Sequence, residues 1–346
     1  MSATRIEHDS MGDIAVPRDA LYGAQTQRAV ENFHIGQRAF APEFIAAVAA
    51  IKREAARVNA ELGVIGAEMA HAIAAAADEV EAGRHAGQFP IDIYQTGSGT
   101  STNMNVNEVL AHLAAARLGA AVHPNDHINA GQSSNDVIPT ALQLSALRQW
   151  QQLLEPALQR LQGVIEKRAH ELADVVKTGR THLMDAMPIR MNQELSGWAQ
   201  QIANARERLR DSAQRLGELP LGGTAVGTGI NADPQFAPRV IARLAAQTQL
   251  PLRPCRNRFE RMSSVDTAAE FSGQLRVLAL ALPLPLALAV ARAIAVSSAV
   301  ARVGVAPGAR RPATSIQAVS RRRARSGSCI TRPCSASGIQ TSIGVR

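Results

Sequence analysis

The 346-residue chain can hold two domains and a sizeable core, and its 3% aromatic content with abundant alanine favours closely packed helices over a β-sandwich. Its net charge of +8 is uneven: from Phe271 onward there are 11 Arg but no Asp, Glu or Lys, so a nucleic-acid reading would rest on that tail alone. Cys255, Cys329 and Cys334 form neither a zinc-type spacing nor a disulfide framework, which fits a reducing cytoplasm, and the opening MSATRIEHDSMGD lacks the apolar core of a secretory signal.

In chain order, residues 43–63 place Phe44, Val48, Ile51, Ala55, Val58 and Leu62 at steps of three and four, one apolar helical stripe closed by Gly63. Residues 140–176 repeat the pattern through Leu144, Leu147, Leu154, Leu158, Leu161 and Ile165. A third helix is expected from about Gln193 to Leu219, and a fourth from near Val265. Long helices with short polar breaks predict a mainly α protein built as an elongated bundle.

The breaks carry the chemistry. TGSGTSTNMNVNEV, Thr96 to Val109, combines flexible glycines with hydroxyls and amides at a helix start, a suitable anion cradle. It lacks the Gly-Lys-Ser/Thr ending of a nucleotide loop. In HPNDHINAGQSSNDVIPTAL, His123 to Leu142, the run Ser133-Ser134-Asn135-Asp136 exceeds what one helix cap needs. His123, Asp126 and His127 raise the question of a metal, but no further ligand accompanies them and none is expected. In KTGRTHLMDAMPIR, His182 sits in a loop beside Thr181, where a structural histidine and a general acid–base read equally well. LPLGGTAVGTGINADP, Leu219 to Pro234, reads as a tight glycine-rich connection between helices.

Past Leu280 the character changes. ALALPLPLALAVARAIAVSSAV is apolar but broken by Pro283, Pro285 and Arg292, which argues against a membrane span. The Arg, Ala, Ser, Pro and Gly-rich remainder has no periodicity. A GC-rich coding region read out of frame yields this set of residues, and that origin is expected in preference to a nucleic-acid tail.

Together and in this order, the four polar stretches resemble the fumarase/aspartase superfamily, and within it the class II fumarate hydratases, from about Arg5 to Leu282. His182 in GRTHLMDA separates them from aspartate ammonia-lyases, which typically carry Gln there. The resemblance implies an N-terminal, mostly helical domain over 1–132, an incomplete central bundle over 133–282 and an aberrant, disordered tail over 283–346. It implies reversible hydration of fumarate to (S)-malate in the cytoplasm, with no metal or organic cofactor. Its partners would be a small dicarboxylate and the other subunits of a homotetramer, with neither nucleic acid nor membrane. Ser98, Gly99 and Thr100 would form one carboxylate loop, and Ser133, Ser134 and Asn135 the second. Thr181 and the catalytic His182 would reach the site of another subunit. His123, Pro124, Asn125 and Asp126 match a second, non-catalytic dicarboxylate site, although Ala120-Ala121 stands where relatives often place a base.

One part of the pattern is missing. The superfamily's loop of the form Gly-Ser-Ser-x-Met-Pro-x-Lys-x-Asn does not occur, and no lysine follows Lys177. The family's base serine and substrate-binding lysine go with it, so a non-catalytic fumarase-derived chain is one alternative expectation, and an aspartate ammonia-lyase-like enzyme is the other.

Overall fold

The computed structural model describes residues 4–282. The readings for 283–346, namely disorder, membrane span, arginine tail and out-of-frame origin, lie outside the described residues, as do Cys329 and Cys334. The chain begins with an antiparallel pair, β1 (Thr4–Asp9) and β2 (Gly12–Pro17). The Arg5 guanidinium ties this pair to the next segment by donating to the carbonyls of Pro17, Ala20 and Tyr22. Helix α1 (Ala24–Asn32) comes next. The carboxylate of Glu108 accepts from the N–H groups of Gly23, Gln25 and Thr26 at 2.9, 3.0 and 3.1 Å, answering both the free donors and the positive end of the helix.

The helices that build the core are α2 (Pro42–Glu61), α3 (Ala67–Glu81), α4 (Thr100–Leu118) and α5 (Ser134–Gln149). The bundle continues with α6 (Glu155–Glu171), the hairpin β3 (Val176–Thr181) and β4 (Met184–Arg190), and α7 (Met191–Leu216). After β5 (Glu218–Leu219) come α8 (Phe236–Thr248), β6 (Arg253–Pro254), which pairs in parallel with β5, α9 (Arg258–Ser263) and α10 (Asp266–Ala281).

Helix α2 starts on Pro42, whose missing N–H costs nothing in the first turn. It packs on α3, α4, α5 and α8 and is buried on nearly every side. Alanines make this close approach possible: Ala47, Ala49, Ala50 and Ala56 of α2 and Ala70, Ala72, Ala76 and Ala77 of α3 are all buried. One hydrophobic core runs from Val16 to Leu282. Helix α7 packs against both α6 and α10.

The helical stripes predicted from spacing appear as α2, α5–α6, α7 and α10. The second starts earlier and stops earlier than 140–176, and a π-type turn at Trp150–Leu154 joins its halves. Residues 176–190, read as a loop, form a hairpin instead. His182 and Leu183 take φ of 52° and 61°, the left-handed pair whose twist suits a two-residue β-turn.

Candidate active site

Two helix N-termini and one glycine-rich segment build the site. Helix α4 starts at Thr100 because Gly99 turns the chain at φ 66°, while a Cβ there would press on Ile138 at 3.1 Å. The hydroxyls of Ser98 and Thr100 lie 2.8 Å apart beside that turn. Helix α5 is capped reciprocally: Asn135 N donates to Ser133 Oγ at 3.2 Å, and Ser133 N donates to Asp136 Oδ1 at 2.9 Å.

Asp136 does more than cap its own helix. Its other oxygen accepts from Gly222 N and Thr224 N, each at 2.9 Å, so one buried carboxylate ties the serine loop to the glycine-rich segment. Gly222 is needed there, since its φ is +87° and a Cβ would overlap Ala237. Asn135 Nδ2 adds a bond to Ala225 O at 2.7 Å.

This clamp borders two clefts that share Ala225. One, of about 420 Å³, is lined by Thr100, Asn103, Ser133, Ser134, Thr224 and Asn231 among others. The other, of about 610 Å³, is lined by Gly97, Ser98, Asn135, Val226 and Phe259 among others. Asn103 Oδ1 and Thr224 Oγ1 are buried and have no hydrogen-bond partner among the described residues; the Thr224 hydroxyl can donate to a ligand, whereas Asn103 Oδ1 can only accept. Hydroxyls, amides and two helix N-termini around one space suit a small carboxylate.

Beneath the smaller cleft lies a charge. Lys52 of α2 is 0% exposed, and its Nζ donates to Asn129 Oδ1 at 2.7 Å. Burial pushes Lys52 down to about 7, with Asp136 working in the opposite direction. Burial also pushes Asp136 up to about 6, against the pull of the Ser133, Thr224 and Gly222 N–H groups and of Lys52. The sign for Lys52 comes from linkage. From about pH 7 to its ordinary value of 10.5, the unfolded chain holds a proton that the folded chain has released, so stability rises with pH through that window. Asp136 does the reverse between 3.8 and about 6, where the folded chain keeps a proton the unfolded one has lost and stability falls as pH rises. In urea titrations, any advantage of Lys52→Met over the native chain is therefore expected to shrink steadily from pH 7 to 9.5. A difference that stays constant over that range would refute the buried-charge account.

The sequence-predicted residues divide into two groups. Ser98, Thr100, Ser133, Ser134 and Asn135 line the two clefts, and Gly99 shapes the turn between the first two. Thr181 and His182 line neither cleft; they sit exposed at the hairpin tip beside Leu183, which is 99% exposed. Of the proposed second site, Asn125 borders the smaller cleft, Pro124 starts a one-turn π-helix, and His123 Nδ1 lies 3.0 Å from Asp126 Oδ2 at the surface. Sequence reading missed Lys52, Asn129 and Thr224, and it took the glycine-rich stretch for a connection only. The signal for that stretch was its length: eleven residues from Leu221 to Asn231 exceed a tight turn.

The geometry defines a polar site made of two helix N-termini and a glycine-rich segment, suited to a small anion. Comparison with known proteins agrees: the family described as lyase matches residues 12–283, and the chain belongs to it, within the fumarase/aspartase superfamily. Class II fumarate hydratase from Xylella fastidiosa is 55% identical over 276 residues, covering 80% of this chain and 58% of that protein. The class II fumarate hydratase of Mycobacterium tuberculosis is 51% identical over 277 residues, 80% of this chain and 58% of its own. Among solved structures, a class II fumarase from Schistosoma mansoni superposes with a TM-score of 0.79 at 38% identity, over 81% of this chain and 63% of that one. The chain thus spans about three-fifths of the length of the relatives it matches.

Proposed function

We propose that this chain carries the dicarboxylate-binding half of a fumarate hydratase, for the reversible addition of water to fumarate giving (S)-malate. The observation that carries this reading is the Asp136 clamp, which holds Ser133 and Ser134 with Thr100 around the smaller cleft and Asn135 at the wall of the larger one. In the malate-to-fumarate direction, a proton leaves the carbon next to one carboxylate and hydroxide leaves the neighbouring carbon. Negative charge builds on that carboxylate, and preorganised donors count most there. His182, with Thr181, is assigned to the site of a second copy. The exposed apolar hairpin tip, with Leu183, Met184 and Met187 at 99, 70 and 78% exposure, supports that assignment because such a tip gains by burial in a neighbour. A tetramer in the cytoplasm and the division at 132/133 belong to the same reading. Among the described residues no helix is long and apolar enough to cross a membrane.

A non-catalytic role is the second reading, favoured by one specific fact: no lysine follows Lys177. Calorimetric titration tests the shared core of both. The chain is expected to bind (S)-malate in preference to (S)-lactate, and Ser134→Ala to weaken binding by about tenfold or more, the worth of a lost bond to a charged group. Equal affinity for the two acids would count against a dicarboxylate site.

A further inference from the structure

Lys52 places an ionisable amine in the core. Among the described residues it forms no ion pair, and Asn129 Oδ1 accepts its hydrogen bond. That oxygen also accepts from Asn103 Nδ2 at 3.2 Å, and the same Asn103 nitrogen donates to Ser134 Oγ at 3.0 Å. A continuous polar chain therefore runs from the buried ammonium to a hydroxyl on the cleft wall, and Asn103, Asn129 and Ser134 all line that cleft. Burying a charge without a partner is costly, and such a charge is normally kept where something pairs with it.

The surroundings of Lys52 leave few candidates for that partner. From α5, Asp136 faces it, but Asp136 is committed to three backbone N–H groups. On α3, Asp78 and Glu81 are taken by Arg53, with Arg148 of α5 also on Glu81. Arg243 of α8 pairs with Glu61, and Glu108 of α4 is held by residues 23–26. In the turn 124–128, Asp126 pairs with His123 at the surface, and His127 Nδ1 accepts from His123 N.

We propose that Lys52 is a positioning residue of this site, acting through Asn129 and Asn103 on Ser134, and that it takes up a proton when a dicarboxylate enters the cleft. The inference rests on the dicarboxylate reading and adds a proton to it. The reasoning is electrostatic. A dianion close above a buried amine favours its charged form, and Asn103 Nδ2, shared between Asn129 Oδ1 and Ser134 Oγ, leaves the Ser134 O–H free to donate into the cleft. Near pH 8 the free site holds Lys52 mostly neutral, because burial has brought it down to about 7. Binding then draws a proton from solution.

The test is calorimetric titration of the full chain with (S)-malate at pH 8, in two buffers of different ionisation enthalpy, for the native chain, Lys52→Met and Lys52→Arg. The native chain is expected to take up between about half and one proton per malate bound. Both variants are expected to lose that uptake, and Lys52→Arg, whose charge is permanent, to keep affinity within about threefold at pH 8 while Lys52→Met weakens by about tenfold. A purely structural lysine would change affinity or folding without changing the proton count. Malate binding with no uptake, or with uptake that persists in both variants, overturns the proposal and leaves the dicarboxylate reading standing. No malate binding by the native chain overturns both.

Discussion

Asp136→Ala is expected to lower the stability of the chain by about 4 kcal/mol and to abolish malate binding. The carboxylate is fully buried and accepts from the N–H groups of Ser133, Gly222 and Thr224. Each buried donor left unmatched costs about 1–3 kcal/mol, and three in one place cannot all turn to solvent. The loss divides between two segments that touch the cleft, so the serine loop and the glycine-rich segment would separate together. Asp136→Asn is expected to be milder, about 2 kcal/mol, because one amide oxygen still accepts while the amide nitrogen opposes the remaining N–H. Urea unfolding at pH 7 distinguishes these cases. A loss under about 1 kcal/mol for the alanine variant would mean that the clamp does not hold the two segments.

The second large effect concerns turnover. The purified 346-residue chain is expected to hydrate fumarate at least ~10²-fold more slowly than the Xylella fastidiosa relative, since loss of a general base alone typically costs about 10²–10⁴-fold. The family match spans residues 12–283, and the 276 residues aligned with that relative correspond to 58% of it. The rest of the relative has no counterpart in the match, and the sequence after Lys177 offers no lysine to stand against a second carboxylate. Loss of fumarate absorbance with time measures the rate, and turnover within tenfold of the relative would show that other residues replace the missing loop. Resequencing around codons 275–290 would reveal whether one inserted or deleted base separates this tail from such a loop.

Much of the fold could be read from spacing because α2, α5–α6, α7 and α10 each carry apolar residues at steps of three and four, and α7 and α10 bury that face alone. The polar N-termini of α4 and α5 were legible as well, since their hydroxyls and amides outnumber what capping requires. Lys52 was not. In the sequence it comes after Ile51 and precedes Arg53 and Glu54, and three charges in a row read as a solvated face. All three are buried, because α2 runs through the middle of a packing that covers it from several sides at once. A single-helix pattern cannot report that, since it records one helix and not the number of its neighbours. Asp136 was legible as a cap, but its bonds to Gly222 and Thr224 span 86 and 88 residues and exist only in the folded chain. The hairpin at 176–190 was hidden for a local reason: its turn carries His182 and Leu183 in place of the Asn-Gly or Asp-Gly pair that marks such a turn.

Whether a dicarboxylate sits between the N-termini of α4 and α5, under the glycine-rich segment, is tested most directly by backbone amide NMR of the full chain during titration with (S)-malate. The expected result is saturable shifts confined to residues 98–103, 129–136 and 222–231, with Lys52 as the one distant responder. Shifts centred on 123–126 with those segments silent, or no saturable shifts at all, would contradict it.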